Sequence, residues 1–279
     1  MRLFALKNEI LIDIFHLMFY GVYIDMHTIT WKEENCLESW KRAIWLAKFE
    51  LRNSKKALLT MSILLIPYVI FMVISARTYL ETGFVLFDVF FLLIIGVAVI
   101  WAKPKDFQLQ KIGGISAVNP YFVMLNQLPI PKEILIKNRF VIYYAYAVPF
   151  HTLFLMLIYV FSETIRAELT VTQYIAFSLI WLSFGVYWGS IYPASDVGDP
   201  SNSSTFKAIV YLILFVAIVG GGIAILQAYT GVGVIYWTML IAKKWPLLSS
   251  LVSVIAAGLS TIYWVRYANK NMKKVDYSI

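Results

Sequence analysis

Charge is scarce in this chain: only 14% of its 279 residues are Asp, Glu, Lys or Arg. A typical soluble domain carries about 25%, so a water-facing shell around one compact core cannot be assembled from these residues. Cysteine is rarer still. The single Cys36 excludes an internal disulfide framework and a cysteine-built zinc site. The three histidines, His16, His27 and His151, lie far apart in sequence, and no metal site is expected. There is no G-x-x-x-x-G-K-[ST] run and no Gly-Lys pair at all, so nothing here would cradle a nucleotide's phosphates. The H-E-x-x-H and G-x-S-x-G patterns are missing too, and no enzymatic activity is expected.

What the chain has in quantity is apolar surface: 60% hydrophobic and 16% aromatic residues, with mean hydropathy +0.73. That is the composition of an integral membrane protein. Crossing about 30 Å of hydrocarbon takes about 20 apolar residues. Six runs qualify, near 57–75, 84–102, 140–161, 173–192, 207–226 and 246–265. The first passes through Pro67, which a membrane helix tolerates. Trp101, Tyr187, Trp188, Tyr192, Trp237 and Trp264 stand near the ends of the runs, as an interfacial aromatic belt requires. The expected fold is therefore an all-α, six-span membrane protein, with residues 1–56 as an N-terminal region and 57–279 as the transmembrane domain.

The net charge of +8 invites a nucleic-acid reading, and its placement removes it. Lys and Arg collect in alternate connections: twenty lie before span 1, between spans 2 and 3, between spans 4 and 5 and after span 6, against four in the other segments. The positive-inside rule then puts both termini in the cytoplasm. Membrane lipids, not nucleic acid, are the expected contact of this charge.

Residues 1–30 are harder to place. Ile10–Ile24 is apolar but short, and Glu9, Asp13, His16 and Tyr20 fall on one helical stripe. It reads as an interfacial helix or, alternatively, a seventh span, and it lacks a signal-peptide cleavage site. Residues 36–56 follow, where Leu37, Trp40, Ile44, Ala47 and Leu51 share a face and Lys41, Arg42, Lys48 and Arg52 decorate the others. Such a helix rests on the inner leaflet or packs on a cytoplasmic partner.

The most informative stretch is Lys103–Arg139, between spans 2 and 3. Gly113-Gly114 breaks the chain, and Asn119-Pro120 offers an N-cap followed by proline at the first helical position. Tyr121–Asn126 can form one or two turns, ending before Leu128-Pro129-Ile130-Pro131-Lys132-Glu133. The segment 119–140, NPYFVMLNQLPIPKEILIKNRF, resembles the corresponding connection of ABC-2 type ABC-transporter permeases. That family shows a short helix, a Leu-Pro pair, a basic-acidic pair, and a Lys or Arg entering the next span. The resemblance extends over roughly residues 37–270 through the preceding basic helix and the order of spans. The acidic-basic pair that family members often carry ahead of the short helix is absent from KIGGISAVNPY.

The resemblance implies the permease subunit of an ATP-driven exporter in a bacterial cell membrane. A separate ABC ATP-binding subunit would hold ATP and Mg, and a second permease copy or a paralogue would complete the path. It further implies that the short helix couples to the ATPase, with Tyr121, Phe122, Met124 and Leu125 as apolar knobs. Asn119, Pro120, Gln127, Leu128, Pro129, Lys132 and Glu133 would fix its ends and register. The alternative from another class is a non-transporting binding, immunity or sensor module for a peptide or lipid.

Within the spans, Asp88 and His151 lie about 20 Å and 17 Å from the cytoplasmic ends at 1.5 Å per residue. They are expected to face each other, either as a polar lining of the path or as an interhelical hydrogen bond. Gly220-Gly221-Gly222 in span 5 suits close helix packing. Pro193–Thr205 reads as a loop and a smaller contact with the ATPase. Val232–Ala242 is too short to cross and reads as a re-entrant or surface helix on the outer side, with Lys243 and Lys244 at its lip.

Overall fold

A computed structural model describes residues 36–99, 110–112, 115–198 and 205–275. The expectations for Ile10–Ile24, Trp101 and Gly113-Gly114 lie outside the described residues. The chain divides into two compact units, 1–38 and 39–279. The second holds the first helix from Ser39 onward and every later element.

Helix α1, Cys36–Asn53, has Glu38 in its first turn and Arg52 in its last, the charge order its dipole favours. Its buried residues are Ser39, Ala43, Leu46, Ala47 and Glu50, about a quarter turn from the predicted apolar stripe. On this side the small Ala43 and Ala47 let the backbone approach its neighbour closely. The stripe is divided in consequence: Ala47 is buried, while Leu37 and Ile44 are exposed.

Helix α2, Lys55–Thr82, runs through Pro67 and ends at Gly83, whose φ of 67° takes the left-handed conformation a helix stop needs. It is longer than the predicted 57–75 run and buries Leu65, Val69, Met72, Ala76 and Tyr79. Helix α3, Val85–Gly96, has 12 residues, about 18 Å. It is shorter than the second predicted span, whose last residues, 100–102, lie outside the described residues. Past Gly96 the chain continues in a turn through Val99, and the Gly96 carbonyl accepts from the Tyr192 hydroxyl at 2.8 Å.

Strands β1, Gln110–Ile112, and β2, Ile115–Val118, form a short antiparallel ribbon, and every other described element is helical, as the all-α expectation has it. Helix α4, Pro120–Asn126, leads into α5, Lys132–Phe161, which runs through Pro149. Short α6, Glu163–Glu168, precedes α7, Val171–Gly189, which starts at a capping box of Thr170 and Gln173. Helix α8, Ile191–Ser195, occupies the start of the segment read as a loop. Helices α9, Thr205–Thr230, and α10, Val234–Lys244, are followed by α11, Pro246–Met272.

Four helices are long and apolar enough to cross a membrane: Met61–Thr82, Lys132–Phe161, Val171–Ser195 and Pro246–Met272. Ala217–Thr230 and Val234–Lys244, bent by 63° at their break, make a fifth if taken as one broken span. This is a multi-pass pattern, with four or five helices of span length among the described residues.

Apolar clusters fix the two ends of the bundle. One gathers α2, α3, the last turns of α5, α6, the start of α7, and α10. The other gathers α1, α4, the start of α5, α8 and the end of α11. The exposed cations Lys41, Lys48, Arg52, Lys132, Arg266, Lys270 and Lys273 belong to elements of this second, basic end.

Glycine matters where helices touch. A Cβ on Gly189 would lie 1.5 Å from the Tyr143 hydroxyl, whereas Gly220, Gly221 and Gly222 have nothing within 4 Å. The triple glycine therefore does not serve close packing within the chain, contrary to expectation. We predict that Gly189→Ala destabilises the protein by about 1–3 kcal/mol through overpacking, while Gly221→Ala lowers the thermal unfolding midpoint in detergent not at all.

Candidate functional site

The short helix α4 forms as its sequence dictates. The Asn119 side chain caps it by accepting from the Phe122 N–H at 3.2 Å, and Pro120 occupies the first turn. The Asn119 N–H donates to the Asp196 carbonyl at 3.2 Å, tying the cap to the turn after α8. Tyr121, Phe122 and Leu125 are buried among Leu46, Leu135, Ile136, Phe140, Ala268 and Met272. The expected apolar knobs thus point into the chain's own core, because α1, α5 and α11 close around them. Met124 and Leu128 are half-buried, and Gln127, Pro129, Lys132 and Glu133 are exposed.

Beneath α4 lies a charged seat. Glu50 of α1 and Arg139 of α5 are both fully buried, with Arg139 Nη1 2.8 Å from Glu50 Oε2, meeting too obliquely for a regular hydrogen bond. Arg139 Nε donates to Asn138 Oδ1 at 3.1 Å, and Asn138 Nδ2 donates to the Ala43 carbonyl at 3.1 Å. The guanidinium also lies 5.6 Å from the Tyr121 ring centre, and Tyr121 stacks on Phe49. Burial pushes the Tyr121 hydroxyl up to about 12, with Arg139 opposing and Glu50 adding, so it stays neutral. One turn away Lys137 donates to Ser39 Oγ at 2.6 Å and pairs with Glu133 at 2.5 Å.

Glu50 is the residue that sequence reasoning missed. Its signal was its isolation, for no other carboxylate occurs between Ser39 and Leu80, and an acid set among basic and apolar residues asks for a partner.

At the opposite end Asp88 and His151 are both buried, but no hydrogen bond joins them. Asp88 instead caps α10: Oδ2 accepts from the Val234 N–H and Oδ1 from the Ile235 N–H, each at 3.0 Å. Tyr79 donates to Asp88 Oδ1 at 2.8 Å and accepts from the Tyr236 N–H at 2.9 Å. Three amides that the helix itself leaves unpaired are thereby satisfied. Gly233 permits the approach, since a Cβ there would lie 1.9 Å from Asp88 Oδ2. His151 packs against Gly185 and Phe150 and reaches the Ile94 backbone. The far end of α10 is held by Lys243, which pairs with Glu168, and Lys244 lies over Trp245. Among the described residues no three His, Cys, Asp or Glu side chains come together as a metal would need.

Removing one member of a buried ion pair costs about 3–5 kcal/mol, while replacing both by apolar residues is near neutral. Glu50→Ala is expected to lower the unfolding midpoint sharply, and Glu50→Leu/Arg139→Met to recover most of the loss. Asp88→Ala is expected to speed amide hydrogen exchange at Val234 and Ile235, with exchange at the Phe122 amide of α4 unchanged.

No protein-family model, no curated protein and no solved structure matches the chain.

Proposed function

We propose that this chain is the membrane half of an ATP-driven exporter of the ABC-2 type, working with a separate ATPase and a second permease subunit. The observation that supports this reading is α4: a capped two-turn helix, set between spanning helices at the end of the bundle where the exposed cations collect. A coupling element must be rigid relative to the spans it moves. Helix α4 meets that demand through its cap, its apolar seat and the Arg139–Tyr121 contact, which ties it to α5. A push on it is delivered to α5 and α11 instead of being absorbed by a loop.

The docking margin in this reading is the exposed set Gln127, Pro129, Lys132 and Glu133, with Met124 and Leu128 beside it. Tyr121, Phe122 and Leu125 are the roots of the helix, not its contact surface. Cargo would follow an apolar path at the interface of two subunits.

The test is extraction of the tagged protein from its own membranes in detergent, with nucleotide hydrolysis measured on what co-purifies. Hydrolysis is expected in the wild-type sample. Gln127→Glu/Lys132→Glu, at two exposed positions, is expected to cut it by roughly tenfold with the unfolding midpoint unchanged, the loss corresponding to about 1.4 kcal/mol of contact energy. Absence of hydrolysis, with a control exporter retaining its ATPase under the same extraction, overturns the reading and leaves a non-transporting module.

A further inference from the structure

We propose that α3 is a strut: its two ends, hydrogen-bonded to different partners, make the placement of α10 at one end of the bundle depend on α8 at the other. This goes beyond the exporter reading and stands whether or not that reading holds.

Asp88 is the one polar side chain of α3, VLFDVFFLLIIG. Along its sides the helix meets its neighbours through apolar residues, with Phe91 against the rings of Phe154, Phe177 and Trp181. Such contacts are non-directional and fix position along the axis only weakly. Hydrogen bonds hold the ends. A helix leaves its last four carbonyls unpaired. In α3 the Leu93 carbonyl accepts from the Val97 N–H at 2.8 Å, His151 reaches the Ile94 backbone, and the Gly96 carbonyl accepts from the Tyr192 hydroxyl. Toward the other end Asp88 holds the Val234 and Ile235 amides. About 12 Å of helix separates Asp88 from Gly96.

The partners at the two ends belong to different parts of the molecule. Helix α8 answers to the basic end: Ala194 packs in its apolar cluster, and the Asp196 carbonyl just beyond accepts from the Asn119 N–H. Helix α10 has a hinge. Residues 231–233 join it to α9 at a 63° bend, and Gly231 takes a φ of 71°, with nothing within 4 Å of where its Cβ would stand. The Lys243–Glu168 pair at the far end of α10 is partly exposed and so holds it weakly. The start of α10 is therefore set by Asp88, and the position of Asp88 by the grip of Tyr192 and His151 on the end of α3. Displacing α3 along its axis by about 1 Å stretches a 3.0 Å hydrogen bond past its normal range. Release of α10 then comes over a small movement instead of a gradual slide.

The experiment is amide hydrogen exchange, resolved by residue, on the full-length protein in detergent. Tyr192→Phe keeps the ring and removes the hydroxyl. It is expected to speed exchange at Val234 and Ile235 about three- to tenfold, the worth of one hydrogen bond. The Ile165 and Tyr174 amides, at the same end of the bundle as α10 but with partners of their own, are expected to exchange as before. In an Asp88→Ala background Tyr192→Phe is expected to add nothing at Val234 and Ile235, because the link is already cut. Unchanged exchange at Val234 and Ile235 in Tyr192→Phe, equal acceleration at Ile165 and Tyr174, or an undiminished effect of Tyr192→Phe in the Asp88→Ala background overturns the proposal.

Discussion

A carboxylate and a guanidinium taken out of water must find each other, and the pairing of Glu50 with Arg139 organises the basic end of this molecule. In a low-dielectric interior each charge alone costs several kcal/mol. The pair therefore fixes α1 against the start of α5 by one particular side. That choice turns Ala43, Ala47 and Ser39 inward and leaves Ile44, Trp45 and the cations outside. It also provides the platform on which Tyr121 lies, and through Tyr121 the position of α4. An amphipathic helix that hydropathy alone would float on a membrane is thus locked to the protein on one side.

The same rule of satisfied polar groups governs the other end, with a different acid. A helix that begins inside an apolar environment exposes N–H groups that cannot be left bare. Gly233, at the start of α10, offers no side chain to cap them. Asp88 and Tyr79 supply the missing acceptors from α3 and α2. The bent pair of α9 and α10 is therefore held by a remote cap, assisted by the Gln227 side chain, which donates to the Gly83 carbonyl. In both places a polar contact between distant segments, not apolar packing alone, fixes an element that local sequence leaves free.

How far the fold could be read beforehand follows from this distinction. The limits and cap of α4 were legible because Asn119 and Pro120 act within one turn. The helices of span length at 132–161, 171–195 and 246–272 were legible because apolar length is a local quantity. The hydrogen bond between Tyr192 and the Gly96 carbonyl was illegible because its two residues lie 96 positions apart. The partners expected of Asp88 and His151 failed because equal depth in a membrane does not fix which faces of two helices meet. Burial of Tyr121 and Phe122 was illegible for the opposite reason: aromatic residues on a short helix look the same whether they seat it or project from it.

The remote cap has a consequence for how the chain is made. The amide of Val234 follows Asp88 by 146 residues, so at about 5–20 residues per second the carboxylate exists for roughly 7–30 seconds before its partner is synthesised. During that interval Tyr79, nine residues earlier, is the one partner of the finished cap already synthesised. A 12-residue helix with an uncapped carboxylate in its first turn is a poor candidate for committing to the lipid on its own. The cap is complete only once the start of α10 has been made.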